Sequence, residues 1–443
     1  MNRNAYKELL EWKASPRRKP LIMYGARQVG KTWLLKEFGK NEYKNTLYLN
    51  FEAESEVQKY FAGSIIPDRI IPGLEDHFGK KIVPEDTLLI FDEIQENQRA
   101  KDSLKYFNED APQYHIAAAG SFLGIAQGKF PVGQVDEITL RPLSFYEFLE
   151  ATGKSILLEN IRNFNSHIPV SVAAEPKLKE YMYVGGMPEA VNAYIEMGNL
   201  HETRAVQEKI LNNYKNDFNK HIKGTDIPKV RMLWDSIPVH LAKEKKKFMY
   251  REIKTGARAA AYENALDWLV NTGLVYKIDR TNEAKLPLPA YADREAFKIY
   301  MLDTGLLSAA VGLDFTTFYD PDPLVFKEFK GAITEQFVLQ ELKTLETKFA
   351  AKMPICYWGK DEGKSEVDFV VQWRNEIVPI EVKSGINRKS KSLDIYRELY
   401  NPPHAIRTTL HNFGITDNLC SVPLYMIGSI ENILRFSVEG IDS

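Results

Sequence analysis

Eight consecutive residues near the start of the chain have the types and spacing of a phosphate-binding turn. They match the pattern GxxxxGK[ST], follow an apolar run at Leu21–Tyr24 that predicts a strand, and lead into a helical pattern extending to Phe38. Glycines let the backbone curl so that N–H groups point at phosphate oxygens, while a lysine adds positive charge and a hydroxyl can bind magnesium. The sequence therefore predicts a site for ATP and Mg²⁺ at Gly25, Ala26, Arg27, Gln28, Val29, Gly30, Lys31 and Thr32.

A second pattern, an apolar strand that ends in two acids, suits the same site. Leu88–Phe91 is followed directly by Asp92 and Glu93. In phosphoryl-transfer sites of this kind, one acid holds magnesium and another polarises the attacking water. We expect Asp92 to bind Mg²⁺ with Thr32, and Glu93 to act in hydrolysis together with Lys31. Slow turnover stays open as an alternative, because such a loop can hold a nucleotide without hydrolysing it quickly.

Two more polar residues follow predicted strands. Ser121 comes at the end of the strand predicted at His115–Gly120. Its hydroxyl either senses the γ-phosphate as a catalytic group or caps the helix that begins after it, and the residues do not decide between these roles. Arg141 follows the fifth predicted strand, where a surface arginine is favoured over one that acts on the nucleotide.

The last third of the chain carries another set of charged residues on predicted strands. Asp368 lies within the strand predicted at Glu366–Trp373, and the next strand leads into Glu381 and Lys383, whose side chains share one face. Two carboxylates that hold magnesium, beside a lysine that orients water, suit phosphodiester cleavage. We predict Asp368 and Glu381 as metal ligands. The alternative is that Glu381 and Lys383 form a surface ion pair on a scaffold without activity.

Glu335 adds a fourth member to this set. It lies in the helix predicted from about Lys330 to Leu345 and shares an apolar face with residues at helical spacing. A buried carboxylate needs a partner or a metal. We therefore expect four catalytic residues in this module, namely Glu335, Asp368, Glu381 and Lys383.

A basic stretch separates the two candidate sites. Residues 214–258 contain twelve Lys or Arg against five Asp or Glu, an excess of seven in a chain whose formal net charge is −2. Three helices predicted there, followed by two strands at Leu274–Asp279 and Phe297–Leu302, are typical of a winged helix. Its lysines, Lys246 among them, could contact DNA phosphates. Acids on the exposed face of the third helix, Glu263 and Asp267, leave a packing or partner-binding role equally open.

The remaining elements are those that must position these residues. The first third alternates five strand patterns with helical ones, which predicts a parallel sheet with helical crossovers. Helical patterns dominate after Pro142, and the last third returns to strands after one helix. The predicted strands are Leu21–Tyr24, Thr46–Phe51, Thr87–Phe91, His115–Ala119, Val135–Leu140, Ile355–Trp358, Glu366–Trp373 and Ile377–Val382.

Composition excludes several classes of protein. The 443 residues are 44% hydrophobic and 27% charged, which is typical of globular domains rather than of disordered or collagen-like chains. The formal net charge of −2 provides no general attraction for nucleic acid or membrane. Two cysteines without metal-site spacing speak against a disulfide framework or structural zinc. No apolar run has the length of a leader or a membrane span, so we expect a cytoplasmic protein.

Several of these segments together resemble a known group of proteins. The chain reads "GARQVGKT", then "FDEIQ", "GS" and "LRPLSFYEFL", and later Gly185-Gly186-Met187-Pro188-Glu189. These motifs resemble AAA-type ATPases of bacteria and archaea that carry a C-terminal domain of unknown function similar to PD-(D/E)XK nucleases. The resemblance covers nearly the whole chain and implies an AAA-like core with a helical lid, and an acid at the position of Glu335. Relatives often have Gly-Arg before the fifth strand, whereas this chain has Gly133-Gln134, which leaves an arginine sensor there in doubt.

The sequence therefore predicts an α/β protein of four parts. An AAA-like P-loop ATPase core spans residues 1–150, a helical lid 151–220, a winged-helix-like domain 221–315 and a PD-(D/E)XK nuclease-like domain 316–443. We expect magnesium-dependent ATP binding and hydrolysis that controls the C-terminal module, with DNA as a candidate partner of residues 214–258 and of that module. The alternative is a slow nucleotide-dependent switch or scaffold that binds a protein partner or a second copy of the chain.

Overall fold

The computed structural model describes most of the chain. The described residues are 1–120, 133–164, 168–222, 224, 226–243, 246–319, 323–345, 353–360, 365–385, 390–410 and 413–439. Ser121, Lys245 and the helix expected after Ser121 lie outside these residues.

The N-terminal third forms a five-stranded parallel sheet in the order β2-β3-β4-β1-β5. The three central strands are buried throughout, whereas the edge strands alternate between buried and more exposed residues. A near-continuous apolar run therefore marks a central strand that is covered on both faces. The prediction of a parallel sheet is confirmed, with strands β1 Leu21–Tyr24, β2 Asn45–Asn50, β3 Thr87–Asp92, β4 His115–Ala119 and β5 Asp136–Thr139.

Helices connect these strands and cover both faces of the sheet. Their apolar residues divide between two cores, one on each side. Short 3₁₀ turns at Lys59–Phe61 and Ile94–Glu96 complete the connections. The helices are α1 Ala5–Ala14, α2 Lys31–Glu42, α3 Ser55–Gln58, α4 Pro67–Phe78 and α5 Gln98–Asp110.

A helical segment follows the sheet, as predicted. Its third and fourth helices are separated by Gly185, Gly186 and Met187, and Pro188 opens the fourth at a position where a proline is tolerated. The helices are α6 Phe145–Ala151, α7 Ser155–Arg162, α8 Ile168–Val184, α9 Pro188–Met197 and α10 Leu200–His221.

The middle of the chain differs in part from the three helices and hairpin that the sequence predicts. The second of the three helices is only a 3₁₀ turn at Tyr250–Glu252. Gly256 has φ +80°, which breaks the helical path before the third helix begins. The elements are α11 Ile227–Leu241, α12 Ala259–Asn271, β6 Val275–Thr281, a 3₁₀ turn at Leu288–Tyr291, β7 Ala292–Met301, α13 Thr304–Ala310 and a 3₁₀ turn at Phe315–Tyr319.

The β6–β7 hairpin belongs to the same sheet as the C-terminal strands. This eight-stranded sheet has the order β12-β13-β11-β10-β9-β8-β6-β7, and β6 pairs in parallel with β8 through Arg280 and Thr281. The sheet therefore crosses the boundary predicted between residues 315 and 316, because pairing with β8 satisfies an edge of β6 that a free-standing wing would expose. The remaining elements are α14 Pro323–Thr344, β8 Ile355–Gly359, β9 Glu366–Trp373, β10 Glu376–Glu381, α15 Lys391–Tyr400, β11 Ala405–Thr409, β12 Gly414–Thr416, β13 Leu419–Pro423, a 3₁₀ turn at Leu424–Ser429 and α16 Ile430–Glu439.

Within the described part of the chain, none of the helices combines the length and the apolarity that a membrane span requires.

Candidate functional site

The turn between β1 and α2 depends on glycine at two positions. Gly25 has φ +156°, and a Cβ there would lie 2.3 Å from the carbonyl oxygen of Leu140 on the chain segment after β5. Gly30 precedes α2 in a left-handed conformation with φ +96°. A side chain at either position would strain or block the turn. The two glycines of the motif are therefore required by backbone geometry.

Lys31 points back into this turn. Its Nζ donates hydrogen bonds to the carbonyl oxygens of Gly25 and Ala26, both at 2.9 Å. The side chain is buried, and burial lowers its pKa to about 8 although Glu93 and Asp92 favour the charged form. The turn thus surrounds one positive charge at the end of β1, while Ala26 and Val29 pack into the core.

The predicted magnesium ligands lie side by side. Thr32 Oγ1 donates a hydrogen bond to Asp92 Oδ2 at 2.8 Å, and the Tyr48 hydroxyl donates to the same oxygen at 2.7 Å. Asp92 is buried at the end of β3, next to the parallel strand β2 that carries Tyr48. Tyr48 is a neighbour that the sequence did not identify, although its alternation with buried Leu47 and Leu49 in β2 places it on the face of the sheet near Asp92.

Glu93 faces the same cavity as Lys31. Its backbone is left-handed with φ +49°, its carboxylate accepts a hydrogen bond from Gln95 Nε2, and its side chain helps to line the cavity. Arg141 lies elsewhere: its guanidinium is 5.7 Å from the ring centre of Tyr276. It is half-buried there and is not among the residues that line this cavity.

The cavity beside the turn has a volume of about 640 Å³. Ligand sites of roughly 300–1,000 Å³ are typical of small molecules, so a nucleotide fits. Part of its wall comes from the first residues of the chain and from the start of α9, which the motif alone does not reveal. The lining residues are Met1, Arg3, Arg27, Gln28, Gly30, Lys31, Thr32, Trp33, Glu52, Glu93, Pro188, Glu189 and Asn192.

Arg27 connects the turn to the helical segment. Its Nη1 lies 2.6 Å from Asp217 Oδ1 in α10, and the Tyr214 hydroxyl donates to the Arg27 carbonyl at 2.9 Å. These contacts bring α10 against the phosphate-binding turn. Asp217 and Tyr214 lie at the start of the basic stretch, where the sequence was interpreted in terms of DNA.

The C-terminal acids meet where two antiparallel strands lie next to each other. Ile380 of β10 pairs with Phe369 of β9, so the adjacent residues Glu381 and Asp368 lie side by side. Asp368 Oδ2 accepts a hydrogen bond from the Val382 N–H at 2.8 Å. Burial, together with the carboxylates of Glu335 and Glu381, raises the pKa of Asp368 well above its usual range.

Lys383 is in direct contact with Glu381. Its Nζ lies 2.7 Å from Glu381 Oε1, whereas Glu381 Oε2 is buried and accepts no hydrogen bond in the described structure. Burial raises the pKa of Glu381, and Lys383 opposes this shift. One carboxylate oxygen is therefore without a donor, which suits a cation.

Glu335 reaches the cluster from α14, as the sequence predicted, but it is already paired. Its carboxylate forms an ion pair with Lys246 and accepts a hydrogen bond from the Tyr300 hydroxyl at 3.2 Å. Burial alone would raise the pKa of Glu335, but Lys246 and Lys298 bring it below its ordinary value. Lys246, expected from the sequence to contact phosphate, thus lies against an acid of this cluster.

Lys298 is a member of the cluster that the sequence did not identify. It lies on β7, its side chain is 1% exposed, and its Nζ is 2.6 Å from Glu366 Oε1. Burial disfavours its charge, but Tyr300 and the surrounding carboxylates raise its pKa well above the usual range. A lysine within the apolar run Ala296–Met301 was the available signal, since a buried lysine needs a carboxylate partner.

Among the residues described, no set of three or more His, Cys, Asp or Glu side chains is arranged to hold a metal ion. A cation in the C-terminal cluster would therefore depend on Asp368 and Glu381, with Glu335 held by Lys246.

Family models match three parts of the chain. Residues 17–149 match the model described as "AAA domain", residues 175–317 match "Domain of unknown function (DUF8612)" and residues 330–427 match "Domain of unknown function (DUF4143)". The first match covers the parallel sheet, the phosphate-binding turn and the acids after β3. Residues 17–149 are thus similar to an AAA domain.

The proteins that are related in sequence match a limited segment of this chain. Uncharacterized proteins of Mycobacterium tuberculosis and Mycobacterium bovis are each 28% identical to this chain over 148 residues. The alignment covers 32% of this chain and 31% of each relative, so the match spans about a third of the relatives' length.

Solved structures with remote similarity include three from different organisms. A Walker-type ATPase of Pyrococcus abyssi is 15% identical, with a TM-score of 0.45, 70% of this chain covered and 95% of that chain. A point variant of RuvB from Thermotoga maritima is 14% identical, with a TM-score of 0.31 and coverage of 62% and 88%. The Orc1 protein of Aeropyrum pernix, solved in complex with DNA, is 12% identical, with a TM-score of 0.30 and coverage of 74% and 94%.

Two motifs, the segment before α6 and the Gly185–Glu189 segment that leads into α9, meet in a junction between parts of the molecule, and Pro188 and Glu189 of the second also line the cavity. The Leu143 N–H donates to the Gly186 carbonyl at 2.7 Å, and the Gly186 N–H donates to Asp303 Oδ2 at 2.7 Å. Asp303 also accepts hydrogen bonds from the Leu306 N–H and from Gln340 Nε2. These buried contacts join the AAA domain, the helical segment, α13 and α14.

Proposed function

We propose that the AAA domain binds ATP with magnesium and hydrolyses it. The observation that carries this proposal is the convergence of Lys31, Thr32 and Glu93 at one cavity of nucleotide size, with Asp92 hydrogen-bonded to Thr32. Thr32 and Asp92 would hold the magnesium ion, which when bound neutralises charge on the phosphates. Lys31 and the N–H groups of the turn bind the phosphates, and Glu93 accepts a proton from the attacking water.

The test uses the full chain and two substitutions with different expected defects. Lys31→Ala removes the cation inside the turn, so we expect loss of both ATP binding and phosphate release. Glu93→Gln keeps the shape of the side chain but not its basicity, so ATP binding is retained while turnover falls by roughly 10²–10⁴-fold. Glu52→Gln, a change to another acid of the same cavity, is the matched control. Wild-type phosphate release in the Glu93 variant would remove Glu93 from the mechanism.

We propose a second function for the C-terminal cluster, magnesium-dependent phosphodiester cleavage. The support is the juxtaposition of Asp368 with Glu381, whose Oε2 is buried without a hydrogen-bond donor, and with Lys383. The two carboxylates fit a divalent cation, which when bound polarises a phosphate oxygen. Lys383 then orients water and offsets negative charge that develops on the phosphate.

This second proposal has a readout that does not depend on cleavage. Calorimetric titration of the full chain with Mn²⁺ should show a binding event that Asp368→Asn weakens and that Lys31→Ala leaves in place. Cleavage of mixed single- and double-stranded DNA should likewise be weakened by Asp368→Asn and remain in place in Lys31→Ala. If the Asp368 variant binds and cleaves as the wild type does, or if the wild type does neither, the C-terminal module is a scaffold, and the protein is the slow nucleotide-dependent switch that the sequence also allowed.

A further inference from the structure

Arg3 lies beside the phosphate-binding turn, where it helps to line the cavity, and contacts three separate parts of the AAA domain. Its Nη1 donates to the Val29 carbonyl at 3.1 Å, and its Nη2 donates to the Arg141 carbonyl at 2.5 Å. Its Nε lies 3.2 Å from Glu147 Oε1 in α6. The side chain is only 5% exposed, so every one of these contacts is made away from bulk water.

The contact with Val29 decides the orientation of one peptide group. In a planar trans peptide, the carbonyl of one residue and the N–H of the next point in opposite directions. Because Arg3 holds the Val29 carbonyl on its own side, the Gly30 N–H must point away from the guanidinium. That N–H is one of the turn's donors for phosphate, as expected where a helix begins.

Without Arg3 this peptide has an alternative orientation. Reversing the Val29–Gly30 peptide changes φ of Gly30, and glycine accepts both signs of φ at little cost. Gly30 already has φ +96°. Helix α2 follows this peptide directly, and it begins with the hydrogen bond from the Leu34 N–H to the Gly30 carbonyl. The glycine that permits the turn therefore also permits the reversal.

Glu147 keeps Arg3 in place. Its carboxylate also accepts hydrogen bonds from the Asn4 N–H at 2.6 Å and the Ser144 N–H at 2.8 Å, and it belongs to the capping box of α6. A guanidinium paired with a carboxylate through a fixed, planar arrangement of donors loses little freedom when it bonds a further acceptor. A lysine ammonium has no such arrangement, so it can bond only some of the three acceptors of Arg3, which are the Val29 and Arg141 carbonyls and the Glu147 carboxylate.

We infer that Arg3 is a positioning residue of the nucleotide site, which holds the Val29–Gly30 peptide in the orientation that binds phosphate. The inference rests on the proposed ATP binding and adds a residue outside the motif to that site. Arg3 also helps to line the cavity, but the inferred role does not require it to touch the nucleotide. It acts through the Gly30 N–H.

The experiment compares Arg3→Ala and Arg3→Lys with wild type in ATP binding and steady-state turnover. Loss of a charged hydrogen bond should raise KM for ATP by about tenfold or more in Arg3→Ala, with a smaller change in kcat. Guanidinium chloride at low millimolar concentration should restore most of the loss in Arg3→Ala and none in Lys31→Ala. Asn2→Ala, which removes an exposed contact with Glu150 in the same segment, is the matched control.

A second readout needs no nucleotide. In protein labelled with ¹⁵N-glycine, the Gly30 amide resonance should be single in wild type and doubled or exchange-broadened in Arg3→Lys. Wild-type KM and a single Gly30 resonance in both Arg3 variants would overturn the inference. Loss of affinity that guanidinium fails to restore, with an unchanged Gly30 resonance, would overturn it as well. Absence of ATP binding by the wild type would instead defeat the proposed function.

Discussion

Lys31 is the residue whose charge matters most at the nucleotide site. It is buried, and its pKa is lowered to about 8 because burial disfavours the ammonium form. Bound phosphate stabilises that form, so the pKa of Lys31 must be higher in the nucleotide complex than in the free protein. ATP binding therefore takes up a proton at pH values between the lysine's pKa in the free protein and its higher pKa in the complex.

We expect ATP affinity to be fully present below pH 8 and to fall as the pH rises through 8. The decline should approach tenfold per pH unit at the alkaline end. Calorimetric titrations between pH 7.5 and 9.5 measure it directly, since the phosphates of ATP are ionised across that range. Lys31→Arg, whose guanidinium stays charged throughout, is the control and should bind with little pH dependence. An affinity that is constant from pH 7.5 to 9.5 in wild type would contradict the assignment.

At this scale the sequence predicted residues that are close in the chain to a motif, and missed those that reach the site from elsewhere. Thr32 and Asp92 were predictable because a strand, a turn and a helix place them within hydrogen-bond distance in any such sheet. Arg3 and Lys298 were not, because their roles arise from tertiary contacts with residues far away in the chain. Arg3 has no local pattern that distinguishes it from other basic residues, and the one signal at Lys298 is its position within an apolar run.

At the scale of elements, Gly186 shows why a short motif can be distinctive without being catalytic. A Cβ on Gly186 would lie 2.1 Å from the Leu143 carbonyl oxygen and 2.7 Å from the Leu143 nitrogen, both backbone atoms. The segment between α8 and α9 can therefore approach the segment before α6 only with glycine at this position. The Gly185–Glu189 motif was recognised in the sequence, but the surface it packs against was not.

Gly186→Ala should destabilise this junction, because an added methyl group must displace backbone. We expect the free energy of unfolding to fall by about 1–3 kcal/mol, the usual range for overpacked cores. Urea unfolding followed by circular dichroism gives the comparison. Gly414→Ala is the matched control, since a Cβ there meets nothing within 4 Å. If Gly186→Ala and Gly414→Ala have the same free energy of unfolding, the backbone at the junction accommodates a methyl group without cost, and the prediction is wrong.

At the scale of the whole molecule, the sheet and the buried junctions make the C-terminal half a continuation of the middle. The parallel pairing of β6 with β8 was not predictable, because strands of separate predicted domains carry no signal for pairing with each other. Glu341 of α14 shows how the halves meet. It is 1% exposed and accepts a hydrogen bond from the Phe145 N–H of α6 at 2.8 Å.

The burial of Glu341 predicts a pH-dependent stability. Burial raises its pKa to about 8, against a usual value of 4.5. The folded state therefore holds a proton that the unfolded state has lost between pH 4.5 and 8, and stability must decline as the pH rises across that window. Glu341→Gln is neutral, so its free energy of unfolding does not depend on this proton. Its stability relative to wild type should therefore increase between pH 5 and pH 8, by roughly 1.4 kcal/mol per unit of pKa shift. Glu398→Gln at an exposed position controls for the lost charge, and a stability difference that is the same at both pH values would refute this account.

The same glutamate ends a continuous path of contacts from the nucleotide site to the C-terminal cluster. The path runs from the Val29 carbonyl through Arg3 to Glu147, along the start of α6 to the Phe145 N–H, and across to Glu341. Glu335 lies six residues earlier on α14, about 9 Å along the helix axis. A rigid helix that carries Glu335 and also contacts this path at Glu341 can transmit a shift of one site to the other, provided that ATP favours one arrangement of the path.

We therefore expect ATP to change hydrogen exchange in α14 and in β9 and β10. Mass spectrometry of the Glu93→Gln protein, which keeps ATP bound, compares exchange with and without nucleotide and magnesium. Adding Glu341→Ala removes the acceptor of the Phe145 N–H and should abolish the change beyond residue 220 while ATP still binds. Adding Glu341→Gln retains an acceptor and should preserve the change. Identical exchange beyond residue 220 in the presence and absence of ATP would mean that the two sites work independently, since a path of contacts that neither site moves carries no coupling.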